Sequence, residues 1–217
     1  MALFERSTLP NAITVARIIL TPVVYVLLFI PTFTARFTAF VVFLIAAFSD
    51  LWDGYLARKH GWISNFGKLV DPIADKLLLV ATFVPFYMLS RRDTPDAPLP
   101  LIGELPLWVL IVIFGRELAV TVIRSYAARS GIVIAAGGSG KLKAVFQNIF
   151  IGTTIFWYAL QSAALNQGWS GMWWERWQIF HGTVFLLTLA VALWLTVYSF
   201  VVYLIEWRRL LRAAKAS

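Results

Sequence analysis

The chain has 217 residues, 60% of them hydrophobic and 14% charged, with no cysteine and a formal net charge of +8. So apolar a composition excludes an ordinary soluble domain, and the absence of thiols excludes disulfides, thiolate metal sites and a cysteine nucleophile. With no soluble basic domain to hold nucleic acid, the excess positive charge is expected at one membrane face, against anionic lipid or substrate.

About 20 apolar residues cross a bilayer, and the chain offers six stretches of that kind. Met1 to Leu9 reads as a short interfacial segment on the membrane surface and lacks the pattern of a cleavable signal. The spans then run from Ala12 to Ile30 with Pro22 inside, Arg36 to Arg58, Phe66 to Ser90, Leu105 to Arg129, Lys141 to Leu165, and Gln178 to Glu206, the last long enough to project beyond the membrane. The expected architecture is an all-α integral membrane protein: one domain over residues 1–217, a bundle of six transmembrane helices.

Loop charge sets the expected orientation. Arg6, Arg58, Lys59, Lys68, Arg129, Lys141, Lys143, Arg208, Arg209, Arg212 and Lys215 fall on one side. Arg36, Arg91, Arg92 and Arg176, offset by Asp93, Asp96, Glu104 and Glu175, fall on the other. The positive-inside rule then puts both termini in the cytoplasm. The connector Arg91 to Pro100 is expected outside. So is Asn166 to Trp177, whose Trp169, Trp173, Trp174 and Trp177 read as an interfacial aromatic belt.

Four carboxylates stand where the second and third spans meet the cytoplasm: Asp50, Asp53, Asp71 and Asp75. Spacings of three and four put each pair on one helix face, and the short turn between the helices lets the pairs converge. An oxygen-only donor set with no cysteine suits hard cations such as Mg²⁺, Mn²⁺ or Ca²⁺. Four acids suffice for two such ions, an arrangement that clamps a phosphoryl group during in-line displacement. Gly54, Ala57 and Gly67 lie at turn spacing beside the acids and let a large ligand approach the backbone, while Arg58 is placed to meet a phosphate. Asp71-Pro72 is expected near a helix start, where a missing N–H costs least. The plainer alternative is ion pairing of the acids with Arg58, Lys59, Lys68 and Lys76.

The run Asp50-x-x-Asp53-Gly54-x-x-Ala57-Arg58, followed after eight residues by Gly67-x-x-x-Asp71-x-x-x-Asp75, resembles the signature of the CDP-alcohol phosphotransferase family at every motif position. The resemblance implies a six-helix membrane fold, usually homodimeric, with two divalent metals around a CDP pyrophosphate. It implies that Asp50, Asp53, Asp71 and Asp75 are metal-site residues and that Asp75 is the general base. It further implies that Asp50, Asp53, Gly54, Ala57, Arg58 and Gly67 contact the cytidine nucleotide.

A second cluster is expected to read the acceptor. Gly115-Arg116-Glu117 opens it, Arg124 follows on nearly the same helical face, and Gly137-Gly138-Ser139-Gly140-Lys141-Leu142-Lys143 comes next. The glycine-rich stretch is no P-loop: Leu142 stands where Ser or Thr is needed, and no strand precedes it. It reads instead as a turn that brings Lys141 and Lys143 to the cytoplasmic surface. With Arg116 and Arg124 they form a cationic pocket suited to a phosphate. Arg116, within an apolar run beside Glu117, is poorly explained by loop charge alone.

The opening Leu9-Pro10-Asn11-x-x-Thr14-x-x-Arg17, together with Arg116-Glu117, Arg124 and Gly140-Lys141-x-Lys143-x-x-x-Gln147, resembles one branch of the family, the bacterial phosphatidylglycerophosphate synthases. That branch often has Thr where this chain has Ala144, and beyond Gln147 the likeness is only one of hydrophobicity and length. The resemblance implies transfer of a phosphatidyl group from CDP-diacylglycerol to sn-glycerol 3-phosphate, releasing CMP, at the inner cell membrane with the site facing the cytoplasm. The alternatives within the family are a cardiolipin synthase and an inositol-phosphate phosphatidyltransferase. From another class, a divalent-cation transporter also needs intramembrane acids, although such transporters often show repeated halves and none is visible here.

Overall fold

The computed structural model describes residues 8–60, 65–129 and 138–216, and the side chains of 11–49, 70–129 and 140–212. Six helices follow one another: α1 (Thr8–Leu28), α2 (Phe33–His60), α3 (Asn65–Leu89), α4 (Leu107–Arg129), α5 (Gly138–Gln167) and α6 (Met172–Ala216). Of the surface segment expected over Met1 to Leu9, Thr8 and Leu9 already belong to α1, and residues 1–7 lie outside the described ones.

Local chemistry accounts for several boundaries. Pro10 falls in the first turn of α1, where its missing N–H is harmless. The Thr32 hydroxyl accepts from the Ala35 amide at 3.3 Å and caps α2. Gly168 and Gly171 adopt positive φ and turn the chain between α5 and α6. Two expectations change. Pro72 lies inside α3 rather than at its start, so one carbonyl a turn back loses its helical donor. The tryptophan-rich stretch is not all connector: α6 begins at Met172, so Trp173, Trp174 and Trp177 ride on its first turns. With Trp169, Phe156 and Leu160 they line a cavity of about 570 Å³.

Among the described residues, three helices carry stretches able by length and composition to cross a membrane: Asn11–Leu28, Val70–Leu89 and Met172–Arg212. Among the described residues the apolar run of α2 is Phe33–Ser49, and the first acid of the motif follows it in the sequence. In α4 the run is interrupted by Arg116, Glu117 and Arg124.

α1 packs on α2 and α3, α5 packs on α2 and α6, and α4 joins mainly through α6. The core is built from rings. Phe150 stacks on Phe83 with centroids 5.5 Å apart and meets Phe185 at 5.1 Å, while Phe86 stacks on Tyr158 at 6.2 Å. In lipid such close packing, rather than transfer from water, holds helices together. A smaller cluster joins α4 to α6 through Val120, Ala127 and Tyr203. Outward faces stay apolar, for example Ile19 on α1, Leu118 on α4 and Trp194 on α6, as lipid contact requires.

The connector between α3 and α4 folds back over one end of the bundle. Leu99 and Gly103 exchange backbone hydrogen bonds of 2.7 and 3.0 Å. Trp157 Nε1 donates to the Pro98 carbonyl at 3.0 Å, and the Tyr158 hydroxyl donates to that of Ala97 at 3.3 Å. The connector touches α6 so closely that a Cβ at Gly182 would lie 2.7 Å from Leu101. Arg36, expected as ordinary loop charge, is instead buried here. It donates to the Leu28 carbonyl, the Tyr158 carbonyl and Ser162 Oγ at 3.3, 3.3 and 2.6 Å, and its Nη2 lies 2.6 Å from Asp96 Oδ2.

Candidate active site

Asp50, Asp53, Gly54, Ala57 and Arg58 occupy the last turns of α2, and Gly67 the first turn of α3. Their side chains, and residues 61–64 between the helices, lie outside what the structure describes. Asp71 and Asp75 are described. They stand one turn apart on α3, and both are met by α1. Thr14 Oγ1 donates to Asp71 Oδ1 at 2.7 Å, and Arg17 Nη1 donates to Asp75 Oδ1 at 3.0 Å. The Arg17 side chain is fully enclosed, whereas that of Asp75 is 56% exposed.

Thus Asp75 has an ion partner 58 residues away in the sequence. Sequence reasoning assigned Thr14 and Arg17 no role. A signal was present: an arginine inside an apolar run must find an anion, and its spacing of three from Thr14, like the spacing of four between the two acids, keeps the pair on one helix face. Among the described residues no group of three or more potential metal-binding side chains stands together. The donor set of the motif nevertheless fits a hard divalent cation. It is oxygen-only, as such an ion prefers.

The cationic cluster is built where α4, α5 and α6 meet. Glu117 Oε1 accepts from Arg116 Nη1 at 3.1 Å and also from Lys143 Nζ. Arg116 Nη2 donates to Ser199 Oγ at 3.2 Å, and its Nε is buried without a hydrogen-bond partner. Gly140 lies beside this guanidinium: a Cβ there would be in ordinary van der Waals contact, 4.0 Å from Nη2. Gln147, also buried, donates to Thr196 Oγ1 at 3.4 Å. Lys143 lies within electrostatic reach of Asp75 as well as of Glu117 and Arg116, which ties this cluster to the carboxylates.

Lys143 is not at the surface as expected. The glycine-rich stretch from Gly138 forms the first turns of α5 rather than a turn, and Lys143 is buried against Glu117. A buried ammonium needs such a counter-ion. The expected pairing of Arg116 with Glu117 is present, and the sharing of that carboxylate with Lys143 and the contact with Ser199 were not foreseen. Arg124 and Lys141 are exposed. His181 sits 3.0 Å from the Thr153 carbonyl among Trp157 and Trp177.

Comparison with known proteins agrees with the motif. The family model described as CDP-alcohol phosphatidyltransferase matches residues 7–207. The probable phosphatidylglycerophosphate synthase of Mycobacterium tuberculosis (strain ATCC 25618 / H37Rv) is 38% identical over 149 residues, 67% of this chain and 65% of that protein. The CDP-diacylglycerol–glycerol-3-phosphate 3-phosphatidyltransferase of Bacillus subtilis (strain 168) is 37% identical over 155 residues, 66% of this chain and 74% of that protein. In Arabidopsis thaliana, CDP-diacylglycerol–glycerol-3-phosphate 3-phosphatidyltransferase 2 is 31% identical over 146 residues, 65% of this chain and 61% of that protein. The matched part therefore spans just under two thirds of the length of the Mycobacterium relative. With a family model matching it almost end to end, the chain belongs to the CDP-alcohol phosphatidyltransferase family.

Proposed function

We propose that this protein transfers the phosphatidyl group from CDP-diacylglycerol to sn-glycerol 3-phosphate, giving phosphatidylglycerophosphate and CMP. The observation that carries the reading is the adjacency of the two clusters: Asp75, open on one edge, acts electrostatically on Lys143 of the cationic group. Relatives named for this transfer support the choice of acceptor.

In this reading the chain is a single-domain protein of the inner cell membrane. It crosses six times with both termini in the cytoplasm, works as a homodimer, and faces the cytoplasm with its site. The lipid tails of the donor stay in the bilayer while the nucleotide reaches Asp50, Asp53, Gly54, Ala57, Arg58 and Gly67. Asp50, Asp53, Asp71 and Asp75 would hold Mg²⁺ or Mn²⁺. A divalent ion bound there neutralises pyrophosphate charge and eases departure of CMP. The acceptor hydroxyl attacks the phosphatidyl phosphorus, the bond to the CMP phosphate breaks, and Asp75 takes the hydroxyl proton. Arg116, Arg124, Lys141 and Lys143 hold the acceptor's phosphate, with the exposed Arg124 and Lys141 placed to touch it directly.

The test is lipid product formation by purified protein in mixed micelles with CDP-diacylglycerol, Mg²⁺ or Mn²⁺, and a panel of acceptors. Release of CMP that depends on glycerol 3-phosphate is expected. Product only with phosphatidylglycerol or inositol phosphate would move the protein to another branch. Divalent-cation flux in liposomes without any CMP release would overturn the enzyme reading.

A further inference from the structure

The proposed reaction leaves the opening motif of the chain without a task. Thr14 and Arg17 stand three apart on α1, and Asp71 and Asp75 four apart on α3. Their partnership, Thr14 with Asp71 and Arg17 with Asp75, runs in the same direction along both helices, so α1 and α3 lie side by side in parallel register. Both donors are buried. Burying a guanidinium is costly unless its counter-ion is equally well placed, yet the carboxylate that Arg17 meets is more than half exposed. Thr14 and Arg17 each hold a carboxylate through Oδ1, and a carboxylate held by a buried donor is oriented.

We propose that Thr14 and Arg17 are positioning residues, through which α1 presets the Asp71 and Asp75 carboxylates for the divalent cation and the acceptor hydroxyl. The inference rests on the metal-dependent transferase reading. Groups that hydrogen-bond ligating carboxylates orient them, and losing one such group costs about 10- to 100-fold in metal affinity or activity.

The threonine gives the cleaner test, because Thr14→Val keeps the side-chain shape and removes only the hydroxyl, while Thr14→Ser keeps the hydroxyl. Mn²⁺ binding to the purified full chain is read directly from the free-ion signal in electron paramagnetic resonance, alongside thermal unfolding and CMP release. Thr14→Val is expected to weaken Mn²⁺ binding about tenfold at an unchanged unfolding temperature, and Thr14→Ser to restore it. Arg17→Met is expected to lower kcat more than it raises either KM, with partial recovery in Arg17→Lys. A Thr14→Val chain that binds Mn²⁺ like the parent would overturn the positioning role alone. A parent chain that neither binds Mn²⁺ nor releases CMP would overturn the transferase reading and this inference with it.

Discussion

Arg17 and Arg36 are both 1% exposed and both pair with an aspartate, yet they sit in opposite kinds of surroundings. Arg36 spends Nε, Nη1 and Nη2 on two carbonyls, the Ser162 hydroxyl and Asp96, and lies over the Tyr158 ring at 5.3 Å. Its aspartate is only 14% exposed. Those partners come from the end of α1, the connector after α3 and the last turns of α5, so one closed network stitches three parts of the chain together. Arg17 meets an aspartate that is 56% exposed. A buried charge is offset by a closed set of partners at one end of the bundle, and at the other it meets a carboxylate that is more than half exposed. The first arrangement serves the fold, and the second is what a reactive site requires.

Exchanging the two aspartates for asparagine separates these roles. Asp75→Asn is expected to lower kcat by about 10²- to 10⁴-fold, the usual worth of a general base, and, because its carboxylate is more than half exposed and screened by solvent, to cost less stability than the second exchange. Asp96→Asn is expected to cost about 3 kcal/mol of stability, the lower range for leaving a buried ion without its counter-ion, with kcat per folded molecule unchanged. Loss of turnover in Asp96→Asn, or loss of folding in Asp75→Asn, would break the comparison.

A smaller effect sharpens the open end. Arg124→Ala is expected to raise the KM for glycerol 3-phosphate about tenfold, since a hydrogen bond to a charged group is worth about 1.5–3 kcal/mol, and to leave that for CDP-diacylglycerol unchanged. Equal effects on both would remove Arg124 from the acceptor pocket.

The smallest effect concerns the closed end and acid. Burial raises the Asp96 carboxyl, but hydrogen bonds from Thr94 and Arg36 and the charge of Arg36 outweigh it and hold the group below its ordinary value of 3.8. A depressed carboxyl contributes stability that is complete above its unfolded value and is lost as the pH falls through the folded one. Thermal unfolding followed downward from pH 7 should therefore be insensitive to this group until below about pH 4, the ordinary carboxylate range. It should then fall more steeply in the parent than in Asp96→Asn. Parallel curves would remove Asp96 from the linkage.

Much of the fold was legible because long apolar runs in a membrane leave the backbone few choices besides helix. The starts of α3 and α4 fall within two residues of the expected positions. The α5–α6 connector was read too long because tryptophan and charged residues look like loop in a hydropathy count, although nothing in Met172 to Trp177 opposes a helix. The carboxylate motif was visible as spacing, and so was the oddity of Arg116 in an apolar run. Arg36 was not recognised, since near a span end a cation reads as interface charge. Lys143 was misplaced for a related reason: glycines before it look like a turn until α4 supplies Glu117 as its counter-ion.

By itself the sequence determined the helical architecture, the oxygen-only donor set and, through one specific motif, the family to which the chain belongs. Only the tertiary structure decided which cation meets which acid. Thr14 finds Asp71 across 57 residues and Arg17 finds Asp75 across 58, because α1 lies in parallel register beside α3. Spacing along one helix specifies which side chains share a face, but the rotation and register of two packed helices, set by all their contacts together, determine what that face meets.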